Sequence, residues 1–124
     1  LSDDLSKLPP NVQERLLRLQ QLQQTLQSIL AQKQQVEMEK NEIEQTLAEL
    51  EKTADDAIIY KAVGSLLVKA EKAKVSEELN ERKELLGTRS TVIGRQEERI
   101  RTQVKEAQTK LQEDLSPVSG QPLS

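Results

Sequence analysis

Asp55 and Asp56 place two carboxylates side by side. Hard cations take carboxylate oxygens, so the pair could in principle hold a metal ion. At the end of a helix-forming stretch, adjacent Asp residues act more commonly as breakers, because their side chains compete with the helix for backbone groups. We read them as a break. Lys33, Lys40 and Lys83 set ammonium groups along otherwise apolar repeats. They form either a charged groove for a partner or a polar layer that fixes helix register, and the second reading is preferred. Arg95, Arg99 and Arg101 cluster but interleave with Glu97 and Glu98, as on a solvated helix face with pairs four apart rather than a nucleic-acid patch. The chain has no His and no Cys, so histidine bases, thiolate nucleophiles, disulfides and their metal sites are excluded. No Gly-rich loop could cradle phosphates. The expectation is a protein that is not an enzyme and needs neither cofactor nor metal.

The elements that carry these residues belong to a chain of 124 residues, short enough for one domain. Charged residues make up 31% and aromatics 1%, Tyr60 alone, so no large aromatic core is available. A net charge of −3 supplies no single-sign field for nucleic acid or an anionic membrane. No apolar run approaches the roughly 18 residues of a membrane span, and Leu1-Ser2-Asp3-Asp4 resembles no secretory signal. These features point to a cytoplasmic protein.

Residues 11–53 contain neither Gly nor Pro and are rich in good helix formers. Asn11 is a candidate N-cap, with Glu14 placed to close a capping box. A heptad runs through the stretch: Val12, Leu19, Leu26, Lys33, Lys40 and Leu47 at one seam position, Arg15, Leu22, Ile29, Val36, Ile43 and Leu50 at the other. That repeat is the mark of a coiled coil. Residues 74–114 carry a second seam, clean through Leu79, Leu86, Ile93, Ile100 and Ala107 but polar at Lys83, Ser90 and Glu97 before Val104 and Leu111; Gly87 and Gly94, seven apart, lie on one face. These glycines mark close packing, tolerated weakness or a hinge. Residues 1–10 and 115–124 read as tails.

An antiparallel pair of helices brings together residues whose numbers have a constant sum. Leu47 with Val75, Ile43 with Leu79, Val36 with Leu86, Ile29 with Ile93 and Leu22 with Ile100 all give 122. Leu19 with Val104 and Val12 with Leu111 give 123. The polar positions keep the same register, Lys33 facing Ser90 and Lys40 facing Lys83. The fold expected is mostly α, a long antiparallel two-helix coiled coil folded back within one chain.

Between the helices, residues 57–70 change character. Ile58, Ile59, Tyr60, Val63, Leu66, Leu67 and Val68 dominate, acids vanish, and Gly64-Ser65 fits a two-residue turn. The helices are therefore joined by a short β-hairpin. An isolated two-stranded hairpin is marginal in water and its edges invite pairing, so the middle of the chain is built to oligomerise.

Helix, hairpin and helix, with Ile59-Tyr60-Lys61-Ala62-Val63-Gly64-Ser65-Leu66-Leu67-Val68-Lys69 at the centre, resemble the prefoldin family, and its β class in particular. Asp55-Asp56, Gln32-Lys33-Gln34-Gln35-Val36-Glu37 and Arg95-Gln96-Glu97-Glu98-Arg99 carry the likeness outward, over about residues 8–114. The resemblance implies an ATP-independent cytosolic co-chaperone of two α and four β subunits. Their hairpins join into a barrel-like platform, and coiled-coil tips hold non-native proteins and pass them to a group II chaperonin.

Carried onto this chain, the resemblance implies two surfaces. Subunit assembly falls to Ile58, Ile59, Tyr60, Val63, Gly64, Leu66, Leu67 and Val68. Client binding falls to the tip, where Leu5, Leu8, Val12, Leu16 and Leu17 meet Leu111, Leu115 and Val118. Val12 and Leu111 serve equally well as zipper packing, and Leu5, Leu8 and Val118 as a disordered tail. The alternative function is a purely structural coiled-coil scaffold or tether that oligomerises through the hairpin.

Overall fold

The structure, a computed structural model, describes residues 6–115. Helix α1 runs Pro10–Glu51, strands β1 and β2 run Ile59–Val63 and Leu66–Ala70, and helix α2 runs Lys72–Leu115. Two long helices joined by an antiparallel two-stranded hairpin are the architecture the heptads and the central turn lead one to expect.

α1 starts one residue ahead of Asn11, which corrects the cap assignment. Pro10 suits the first helical position because its φ is already set and it has no N–H to leave unsatisfied. The Pro9 carbonyl accepts from the amides of Val12 and Gln13, both at 3.0 Å. Gln13, rather than Glu14, reaches back: its Nε2 donates to the Leu8 carbonyl at 2.7 Å. At the far end the chain tightens, with the Lys52 and Thr53 amides donating to the Glu49 and Leu50 carbonyls. Thr53 Oγ1 also donates to the Leu50 carbonyl, at 2.6 Å. The helix has ended before Asp55 and Asp56, which lie in the turn closed by the Ala57 amide and the Ala54 carbonyl.

The fold divides into two compact units. One contains α1 up to Ala31 and α2 from Gly94; the other runs Gln32–Ile93. In the first, Val12, Leu19, Leu22, Val104 and Leu111 form a buried cluster, with Leu8, Leu16, Ile100 and Ala107 packed against it. The pairs Val12 with Leu111, Leu19 with Val104 and Leu22 with Ile100 thus share one core, as the constant-sum register requires. In the second, Val36, Ile43 and Leu50 on α1 and Leu86 and Ile93 on α2 are buried. Val36 and Leu86, expected partners, are the most completely buried of all, at 2% and 0% exposure.

The polar layer of the second unit differs in detail from the expected facing pairs. Lys83 Nζ lies 3.8 Å from Glu44 Oε1, and Ser90 Oγ donates to Glu37 Oε1 at 3.3 Å. Each α2 residue thus turns to a glutamate one helical turn beyond the Lys expected opposite it: Lys83 meets an opposite charge there, and Ser90 an acceptor for its hydroxyl. Arg82 adds a third link, its Nη2 2.7 Å from Glu39 Oε1. Arg101 pairs with Glu97 along α2, four residues apart, at 2.8 Å.

Gly87 and Gly94 lie inside unbroken α2, and nothing approaches within 4 Å of where a Cβ would stand. Close packing is therefore not what these glycines provide.

Candidate assembly and docking surfaces

The hairpin owes its register to its turn. Val63 pairs with Leu66, leaving Gly64 and Ser65 as a two-residue loop. Gly64 has φ of +59° and no other residue has positive φ among those described. Positive φ at the first loop position alone is the type II′ arrangement, whose twist matches that of the strands. A side chain at Gly64 would be strained there even though the space is open.

From this register, directly paired residues share a face. Ile59, Lys61 and Val63 lie with Leu66, Val68 and Ala70; Tyr60 and Ala62 lie with Leu67 and Lys69. Both faces are solvated. Leu66 is 66% exposed, Leu67 73% and Tyr60 60%. Ile58, Val63 and Val68 are also exposed, and Ile59, at the base, is half-buried. This is a run of large apolar side chains without an apolar cover, and exposed patches of that kind mark interaction surfaces.

Two ion pairs tie the hairpin and the exit of α1 to α2. Lys61 Nζ is 2.7 Å from Glu78 Oε2 on α2. Lys72 Nζ donates to the Thr53 carbonyl at 2.8 Å and lies 3.2 Å from Asp55 Oδ1. Asp55 therefore receives a lysine of the same chain. Among the described residues no group of three or more His, Cys, Asp or Glu side chains is placed to hold a metal ion.

The second surface lies where the start of α1 meets the end of α2. Leu17 is 58% exposed and Leu115 50%. Leu8 and Leu16 are half-buried against the cluster, while Val12 and Leu111 are buried in it and contribute packing rather than surface. Leu5 and Val118 lie outside the described residues. Arg15 pairs with Asp114 across the two helices. A shallow groove on this unit is lined by Leu19, Leu111 and Leu115 with Lys105, Gln108 and Gln112. Another has Arg15, Arg18, Glu106 and Lys110 around Leu22 and Ala107. The surface is thus apolar patches set among amides and charges of both signs, suited to contacts of mixed character.

The change of composition over 57–70 marks the hairpin surface, and apolar residues beside the seam mark the other, but Lys72, Lys61 and Glu78 carry no signal in the seam pattern. The spacing of Glu37 and Glu44, seven apart beside the seam, was the one hint of the cross-helix partners.

Comparison with known proteins agrees with this geometry. The family model described as "Prefoldin subunit" matches residues 13–117. The prefoldin subunit beta of Archaeoglobus fulgidus is 47% identical over 116 residues, covering 94% of this chain and 100% of that protein. Its counterpart in Pyrococcus furiosus is 43% identical, covering 91% and 97%. The crystal structure of the prefoldin beta subunit from Thermococcus strain KS-1 superposes with a TM-score of 0.80 at 40% identity, covering 90% of this chain and 97% of that one.

Proposed function

This chain belongs to the prefoldin family, with β subunits as its relatives, and we propose that it works as a holdase subunit within a hetero-oligomer. The hairpin joins those of other prefoldin subunits, two α and four β in all. The unit bearing the chain's ends holds unfolded or nascent proteins. Clients then pass to a group II chaperonin, without ATP, in the cytoplasm. Among the described residues no helix is long and apolar enough to cross a membrane, which accords with a role away from the bilayer.

The observation that carries the reading is the hairpin. Large apolar side chains stand exposed on both of its faces, in a two-stranded sheet too small to be stable unaided. Strand addition by neighbouring subunits would cover those residues and pair the free edges. A client surface needs a different character. Leu17, exposed near the start of α1, and Leu115, exposed in the groove with Leu111, Lys105, Gln108 and Gln112, offer apolar contact without a fixed shape to match, which suits varied partners.

Native mass spectrometry of this chain, alone and mixed with an α-class subunit, tests the assembly. A complex with four copies of this chain and two of the partner is expected. That complex should then suppress aggregation of a chemically unfolded protein in the absence of nucleotide. A bare dimer indifferent to the partner and to unfolded protein would favour a structural scaffold instead.

A further inference from the structure

The hairpin is attached to its two helices by unequal links. Only Glu71 separates β2 from α2, whereas residues 52–58 lie between α1 and β1. One residue leaves β2 little freedom to swing against α2; seven leave β1 far more against α1. Two lysines act on this difference. Lys61, central in β1, reaches Glu78 on α2 at 2.7 Å. The free side of the hairpin is thereby tied to the same helix that already holds its other strand.

Lys72 opens α2, where its charge meets the positive end of its own helix dipole. Its ammonium instead reaches to the exit from α1 and donates to the Thr53 carbonyl at 2.8 Å. The Lys72 side chain is only 17% exposed, while Asp55 beside it is fully exposed. The carbonyl bond is therefore the contact sheltered from water, and the Asp55 pair is largely screened.

We propose that Lys61 and Lys72 are positioning residues that lock the hairpin and the exit of α1 onto the start of α2, so that both strands are presented at one preset angle. The consequence for assembly rests on the function proposed above; the lock itself does not. A preset strand pair reaches a partner without first ordering its own hairpin, which removes a cost of binding.

The test uses the full-length chain carrying Lys61→Met and Lys72→Met together, which keeps the apolar stems and removes the charges. It is compared with the parent and with the Lys61→Arg, Lys72→Arg pair. In the unassembled chain, amide hydrogen exchange across 59–70 should accelerate about tenfold in the Met variant, as expected for loss of one charge-assisted bond and one ion pair. The helices should keep their protection, and the Arg variant should return towards the parent. Hairpin exchange equal in parent and Met variant overturns the proposal. If the Met variant loses helical protection as well, Glu78→Gln, which touches only the exposed Lys61 partner, must still accelerate hairpin exchange; no acceleration overturns the proposal. Faster hairpin exchange in the Met variant, with a parent that never joins an α-class subunit, upholds the lock and overturns the assembly reading alone.

Discussion

Arg15 and Asp114, 99 positions apart in sequence, form an ion pair between the beginning of α1 and the end of α2. Their side chains are 43% and 22% exposed, so water and salt reach the pair. Asp114→Asn should therefore lower unfolding stability by no more than about 1 kcal/mol. The loss should shrink in 1 M salt, where screening acts over about 3 Å. Thermal melts followed by circular dichroism at low and high salt measure this; an equal loss in both would mean the pair matters through packing rather than charge.

Leu85 and Leu86 are neighbours with opposite roles. Leu86 is completely buried, while Leu85 is 52% exposed. Leu86→Ala should cost about 2–5 kcal/mol, the transfer term plus the cavity left behind. Leu85→Ala should stay within about 0.5 kcal/mol of the parent. Urea unfolding of the two variants separates them, and similar midpoints would contradict the burial of the seam.

Gly87 and Gly94 weaken α2 with no packing gain. No atom stands within 4 Å of the place a Cβ would occupy at either site, and neither has positive φ. Gly87→Ala and Gly94→Ala should each stabilise the chain by up to about 1 kcal/mol, through helix propensity and a less flexible unfolded state. The two gains should add, since the sites lie about 10 Å apart along the helix and an added Cβ meets no atom within 4 Å at either. A destabilised Ala variant in chemical unfolding would show that α2 needs a bend there.

Much of this fold is legible because coiled coils encode burial as period. The heptad names the buried face, and a constant sum names its partner, which is how Val12 and Leu111, members of one buried cluster, can be paired from residue numbers alone. Gly64 marks the turn because few other residues tolerate its backbone. The remainder depends on how far flexible side chains reach. Lys83 and Ser90 choose Glu44 and Glu37 over the residues directly opposite, and Lys72 crosses to a backbone carbonyl, which no side-chain pattern encodes. The start of α1 was obscured for a related reason: Asn11 is a good cap, but Pro10 is already a good first residue. At the chain's ends, residue type cannot separate zipper from surface. Val12 and Leu17 are both aliphatic, yet one is buried and the other open.

Leu17 and Leu115 are the large apolar side chains most exposed near the start of α1 and the end of α2. Replacing both with Ser removes apolar surface that is at least half exposed and outside the buried cluster. Stability should change by less than about 0.5 kcal/mol, while suppression of client aggregation by the assembled complex should weaken severalfold. Light scattering of an unfolded protein diluted into the complex measures it. Undiminished suppression would place client binding elsewhere.

Leu66 and Leu67 are adjacent, almost equally exposed, and on opposite faces of the hairpin. The Leu66 face also carries Ile59, Val63, Val68 and Ala70, with Lys61 already drawn to Glu78; the Leu67 face offers Tyr60 and Ala62 beside Lys69. The first face is the more apolar, so it should turn inward when subunits join. Burying one Leu is worth about 1.5–3 kcal/mol, and a carboxylate in its place adds a desolvation cost. Leu66→Asp should thus weaken assembly by about 10- to 100-fold or more, and Leu67→Asp clearly less, with helicity of both variants unchanged. Titrating each variant with the α-class subunit in native mass spectrometry ranks them. The reverse order would put the Tyr60 and Leu67 face inside, and equal assembly of both variants with the parent would remove the hairpin from the interface.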